Sequence, residues 1–308
     1  MRKPIDGQAA GLMTVLCAVW GLQQPIIKMA SADIAPVLQI ALRSGMAAIM
    51  VGLLLLIRRR LLRGASSTWR PGLLVGVLFA AEYLAVAEGL RYTSAAHMVI
   101  FLYTAPIFAA MGLHYRFASE RLTPLQWGGI IVAFAGVALA FYAPGEPGAS
   151  VAEQRIGDAL GLLGAMLWGA TTLTVRCSRL ADSSAPLTLF YQLFAAFAIL
   201  GLVAWASGQA HVNPSTIAVV SLTYQTVVVS FFSFLAWFWL LGHYLGSRLG
   251  VLSFLTPLFG VGFGVWLLDE TLEPSFIIGA LLVLAGIVLV SGHDLLRESL
   301  RKRALGAG

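Results

Sequence analysis

Two charged residues stand where charge is costly. Arg43 lies in the run "PVLQIALRSGMAAIMVGLLLLI" and Glu82 in "LLVGVLFAAEYLAVAEGL", with little else polar in either. Each run is long enough to cross a bilayer as a helix. At 1.5 Å per helical residue Arg43 lies roughly 14 Å from the outer end of its run, and Glu82, about eleven residues from the inner end of its own, at similar depth. A charge at that depth is either paired or put to use. The two have opposite sign and could form a buried pair that only clamps helices. Alternatively, the Glu82 carboxylate could hold an ammonium group or carry a proton, which makes it the stronger candidate for a cavity. Glu88 falls near the end of its run and is free to be solvated.

Around them stand groups suited to a small amphipathic ligand. Trp20 and Trp168 fall in mid-run, away from the interfacial belts where tryptophan concentrates, and an indole face can hold a cation. Gln23 and Gln24 follow Trp20 by about one turn and share roughly its face. Tyr83 beside Glu82, Tyr103, and the neighbours Tyr224 and Gln225 complete the candidate set. Plain packing is the competing reading for the aromatic members. Gln39 and Gln192 are weaker candidates. His97, just inside its run, could gate or couple near neutral pH, or be merely hydrated. Pro106 and Pro257 interrupt two apolar runs; proline inside a helix removes a hydrogen bond and bends it, so both are candidate hinges.

Other chemistry is missing. There is no H-E-x-x-H, no G-x-S-x-G and no carboxylate cluster within an apolar run, so neither an enzyme nor a metal or cofactor is expected. Cys17 and Cys177 are too few for a zinc site and read as small buried hydrophobes. The net charge of +6 is better spent on orientation and lipid headgroups than on nucleic acid.

The elements that must position these residues are membrane spans. Of 308 residues 59% are hydrophobic and 11% charged, and the mean hydropathy is +0.85; a soluble domain carries about 25% charged residues. Ten apolar runs of span length follow one another, roughly 11–30, 34–57, 71–90, 95–115, 125–143, 157–176, 186–207, 216–241, 248–268 and 275–292. The first has the basic start of a secretory signal but no small-residue cleavage site, and reads as a retained span. With the N-terminus inside, sixteen Lys and Arg fall in inner segments and only Lys28, Arg91 and Arg155 in outer ones. That asymmetry predicts both termini on the cytoplasmic side.

The chain also repeats itself. "ERLTPLQWGG" at 120–129 is echoed by "ETLEPSFIIG" at 270–279, and "GIIVAFAGVALAF" by "GALLVLAGIVLVS". "FLYTAPIFAAMG" parallels "SFLTPLFGVGFG", setting Pro106 opposite Pro257. "WGLQQPIIK" parallels "WGATTLTVR". Five spans per copy is an odd number, so the second copy enters from the other side. The expected division is a first five-helix repeat at 1–143, a linker at 144–156, an inverted second repeat at 157–292 and a basic tail at 293–308. Inverted repeats of this kind are the architecture of many secondary transporters. Glu120 and Glu270 then read as markers opening the fifth span of each copy, far from any ligand. Gly260, Gly262 and Gly264 suggest flexibility and close approach after Pro257. Gly72/Gly76 and Gly157/Gly161 read as packing positions.

With the "WGxxxxxxK/R" opening, Arg43, "GLRYTSAAHMVIFLYTAPIF" and the "E-x-L-x-P" lead-in, the chain resembles the EamA family of the drug/metabolite transporter superfamily, and within it YddG-type amino-acid exporters. The resemblance covers both halves. It implies a central cavity lined mainly by helices 1, 3, 4, 6, 8 and 9, a more peripheral fifth helix in each half, and alternating access. It implies export of small metabolites, neutral or aromatic amino acids first, across a bacterial-type inner membrane. Drugs, purines or nucleosides are alternatives on the same fold, and a receptor or scaffold without net transport is a reading of another class. The expected partners are a small-molecule substrate and the bilayer; a monomer suffices.

Overall fold

The computed structural model describes residues 6–142, 150–244, 249 and 252–306. These are almost wholly helical, and the one β-bridge among them joins Ile34 to Val212. Eight helices are long and apolar enough to span a bilayer: α1 Gly7–Met29, α2 Pro36–Ile57, α3 Ala65–Gly89, α4 Ala95–Arg116, α5 Pro124–Phe141, α6 Val151–Arg176, α7 Ala185–Ala206 and α8 Thr216–Trp237. Two shorter apolar segments follow, α9 Leu255–Leu268 and Pro274–Val290, the latter being the first part of α10 Pro274–Gly306. The chain is thus an all-α, multi-pass membrane protein.

Local chemistry sets the ends. Thr123 forms a capping box with Gln126, and Pro124 sits in the first turn of α5, where its missing N–H costs nothing. Ser150 accepts from Glu153 N and starts α6, so the expected linker at 144–156 has already turned helical by Val151. At the other end α10 runs on to Gly306 through the stretch expected as a tail. Helix α3 starts at Ala65 after Gly64 (φ 85°), so Pro71 lies inside it rather than at its start.

Helix directions confirm the inverted duplication. At the α5–α10 crossing Gly129 meets Gly286 and Gly136 meets Gly279, each without room for a Cβ. The crossing is antiparallel and maps onto itself when the halves are exchanged. Gly21 of α1 lies against Thr256, Phe259 and Gly260 of α9, and Gly169 of α6 lies against Ala105, Phe108 and Ala109 of α4. The two triplets are the same positions of the repeat. Small residues at such points allow close backbone approach, which drives helix association where lipid is as apolar as the side chains.

The joints α1–α2, α3–α4, α7–α8 and α9–α10, with the start of α6, gather on one face, called here the Glu270 face. Asn213 and Ser215 bond to Asp33, Gln209 to Glu88, and Lys28 to Thr93 O. The other face carries Arg58, Arg59, Arg63, Arg176 and Arg179. Outward-facing apolar side chains such as Ile49, Leu53, Ile131 and Val219 are exposed, as lipid contact requires. Trp205 and Trp266, also exposed, sit at helix ends on the Glu270 face, and Trp69 near the arginine-rich face, which is where interfacial belts lie.

Candidate functional site

Arg43 does not bond to Glu82. Its Nη1 donates to Gln225 Oε1 at 2.6 Å, and its Cζ lies 4.5 Å from the centre of the Tyr83 ring. All three are buried. The contact joins α2 of the first repeat to α8 of the second. Helix α8 is wound with π geometry from Tyr224 to Ser233, and such wide turns recur at functional positions. Glu82 is 5% exposed and lies within electrostatic reach of Arg43. Its carboxylate has no hydrogen-bond or ion-pair partner among the described residues.

Beside it stands an aromatic wall. Tyr103 meets Trp168 edge to face at 5.4 Å, and Tyr83 meets Phe79 at 4.7 Å. Trp168 of the second repeat packs against both main buried clusters, each of which draws on both repeats, and its partner Tyr103 belongs to the first. Tyr103 occupies the two-residue break in α4, between Ala95–Leu102 and Ala105–Arg116. Cys17 and Thr256 are its neighbours. Several buried polar atoms in these elements lack partners among the described residues: Arg43 Nε, Gln225 Nε2, Thr226 Oγ1, Ser44 Oγ and Gln24 Oε1. Buried polar groups are normally satisfied by protein, water or ligand, so this region is equipped to hydrogen-bond a guest.

The remaining candidates divide. Trp20 donates from Nε1 to Ser233 Oγ at 2.8 Å and packs on Trp237, and Tyr224 OH donates to Val19 O. This α1–α8 contact is separate from the Tyr103–Trp168 wall, although the two tryptophans are repeat equivalents. Gln23 and Gln24 are buried. Gln39 donates to Ile27 O and Ile34 O and accepts from Ser221 Oγ, so it ties the α1–α2 joint rather than facing a guest.

His97 is not a lone residue. It is 8% exposed, bonds through Nδ1 to both carboxylate oxygens of Asp158 (3.0 and 3.1 Å), and stacks on Phe276 at 3.9 Å. Thr93 donates to Asp158 at 2.6 Å. A cavity of about 220 Å³ opens beside them on the Glu270 face, lined by Lys28, Ser94, His97, Gln154 and Glu273 among others. Glu88 pairs with Arg91 near the surface. Cys17 is buried as expected, but Cys177 is exposed because α6 has ended at Arg176.

The prolines do not kink continuous helices. Pro106 stands in the first turn of the second half of α4, after the break. Pro257 stands in the first turn of α9, after turn residues Ser253 and Phe254. Proline in a first turn forfeits no helical bond. The two breaks are repeat equivalents.

Sequence reasoning missed Asp158 and misjudged Glu270. Asp158 lies one turn past Gln154 in "EQRIGDALG", and its signal was its intrusion into an apolar run. Glu270 is buried, not a peripheral marker: its two oxygens accept Ala95 N at 2.6 Å and Ala96 N at 2.9 Å.

The sequence profile of the EamA-like transporter family matches residues 8–142 and 155–292. The uncharacterized transporter YoaV of Bacillus subtilis is 22% identical over 273 residues, covering 88% of this chain and 92% of its own. A protein of Salmonella typhimurium named a probable amino-acid metabolite efflux pump is 27% identical over 308 residues, covering 92% and 94%. A solved crystal structure superposes with a TM-score of 0.65 at 19% identity, over 96% of this chain and 99% of the other. That last likeness speaks for the fold.

Proposed function

Because the chain belongs to the EamA-like transporter family, we propose that it exports small amphipathic metabolites, neutral or aromatic amino acids first. Movement is by alternating access of two inverted repeats, residues 1–143 and 157–292, across a bacterial-type cytoplasmic membrane with both termini inside. The observation that carries this reading is the unpartnered Glu82 carboxylate, buried beside the Tyr103–Trp168 wall. Once this carboxyl gives up its proton, its charge attracts an ammonium group strongly in a low-dielectric site. Aromatic faces accept an apolar side chain and add cation–π attraction. Gln225, whose Nε2 is free to donate, suits the substrate's carboxylate. The name of the Salmonella relative supports the same substrate class.

In this reading Glu82, Tyr83, Tyr103, Trp168 and Gln225 bind substrate. Trp20, Gln23, Gln24 and Tyr224 line the approach from α1 and α8, and Arg43 holds the binding groups in place. Pro106 and Pro257 mark the joints at which α4 and α9 bend, and His97 serves the mouth.

Purified protein in liposomes loaded with labelled phenylalanine, leucine and threonine should release at least one of them faster than empty-vesicle controls. Failure across a panel that includes nucleosides and purines would sink the reading. Glu82→Gln should reduce flux at least tenfold and flatten its dependence on pH. An unchanged pH profile would remove Glu82 as a proton carrier and leave it, at most, a binding group.

A further inference from the structure

Glu270 joins three elements drawn from both repeats. Asp269 ends α9 in the left-handed region (φ 52°) and turns the chain back on itself. The Glu270 carboxylate therefore points under the first turn of α4, where both oxygens accept backbone amides from Ala95 and Ala96. Those amides have no partner within the helix, and the helix dipole adds attraction for an anion. Lys28, at the end of α1, lies 3.6 Å from Glu270 Oε1 and donates to Thr93 O at 2.8 Å. Gly264 makes the fold-back possible: a Cβ there would stand 2.5 Å from Glu270 Oε2. Below this knot Val99 of α4 rests directly on Gly260 of α9.

The repeat supplies a counterpart. Glu120 opens the fifth span as Glu270 opens the tenth, and Arg176 ends α6 as Lys28 ends α1. The counterpart residues also meet, Arg176 Nη2 lying 2.6 Å from Glu120 Oε1. The settings differ. Side-chain exposure is 29% and 3% for Lys28 and Glu270, but 52% and 37% for Arg176 and Glu120. Both pairs are formed here, the first with its carboxylate buried and the second at the surface.

We infer that Glu270 is the gate residue that holds the Glu270 face shut, with Lys28 as its clamp, and that Glu120 and Arg176 form the equivalent gate of the arginine-rich face. The two gates open in turn: this structure has both engaged, and each half-cycle breaks one while the other holds. Opening the Glu270 face withdraws the carboxylate from the start of α4 and parts α4 from α9. A carboxylate bound to two amides and a cation is well suited to this, because released into water it recovers hydration in place of those bonds. The assignment rests on the alternating-access reading but concerns the gates, not the substrate.

The test uses full-length protein with Cys17→Ser, Cys177→Ser and the reporter Val99→Cys, reconstituted in liposomes and labelled from the Glu270 face with a membrane-impermeant maleimide. Glu270→Gln keeps the shape but loses the charge and one acceptor, and should raise the labelling rate by roughly fivefold or more. Lys28→Met should raise it less, and provides a second reading if Glu270→Gln does not purify as a monodisperse protein. Glu120→Gln should lower the rate, because it weakens the state in which the Glu270 face is open. Labelling unchanged by Glu270→Gln and Lys28→Met, or moved in the same direction by Glu120→Gln, would overturn the assignment. Opposite shifts without flux of any substrate would uphold the gates and remove the transport reading. Flux without labelling shifts would do the reverse.

Discussion

Arg43 and Gln225 make a contact whose worth is set by its surroundings. The guanidinium is 2% exposed, its Nη1 is bonded to Gln225 and its Nε is unpartnered. Removing one partner of a buried charged hydrogen bond leaves the other to bear its desolvation cost. Gln225→Leu should therefore lower stability in detergent by about 1.5–3 kcal/mol, read as a drop in unfolding midpoint. Arg43→Met alone should be at least as damaging, since it also strips the Tyr83 ring of its cation. The double variant should be more stable than the sum of the two single losses, because no buried charge is then left unpaired. Additive losses would mean that the 2.6 Å contact contributes nothing of its own. The Arg43–Glu82 bond suggested by opposite signs does not form: the guanidinium directs Nη1 to Gln225 instead, which leaves the Glu82 carboxylate open to a guest.

At the scale of elements, the glycines of α9 divide sharply by what surrounds them. A Cβ on Gly260 would lie 2.9 Å from Val99 Cγ1, whereas nothing stands within 4 Å of one on Gly262. Gly260→Ala should cost about 1–3 kcal/mol through overpacking. Gly262→Ala should be neutral or gain up to about 1 kcal/mol from helix propensity. Equal effects in thermal unfolding would show that the α4–α9 contact is looser than drawn. The sequence presented Gly260, Gly262 and Gly264 as one group, because spacing along a chain does not reveal which face meets a neighbour. Helices with period and length were legible: ten apolar runs and a 150-residue echo suffice for ten spans and an inverted copy. Contacts between distant elements were not. His97 and Asp158 are 61 residues apart and Ala95 and Glu270 are 175 apart, and neither pairing leaves a periodic signature. The hinge prolines fall between these cases. Their positions were legible, but the breaks preceding them depend on Tyr103 and Ser253–Phe254 leaving helical geometry.

Considered whole, the molecule has two faces with different chemistry. The gathered joints on the Glu270 face carry Asp33, Glu88, Glu153, Glu270 and Glu273, and the other face carries most of the arginines. Anionic lipid and the insertion machinery both favour Lys and Arg on the cytoplasmic side, which is the orientation proposed above. Native cysteines make this testable with little engineering. Cys177 is exposed just past α6 on the arginine-rich face, while Cys17 is buried against Leu252. A membrane-impermeant maleimide added to intact cells should leave Cys177 unlabelled, and should label it once the membrane is permeabilised. Ser207→Cys at the end of α7, made with Cys17→Ser and Cys177→Ser, should react in intact cells, because the α7–α8 joint shares the Glu270 face with Asp33. The inverse pattern would turn the molecule over and place the Glu270 gate at the cytoplasmic side and the Glu120 gate outside.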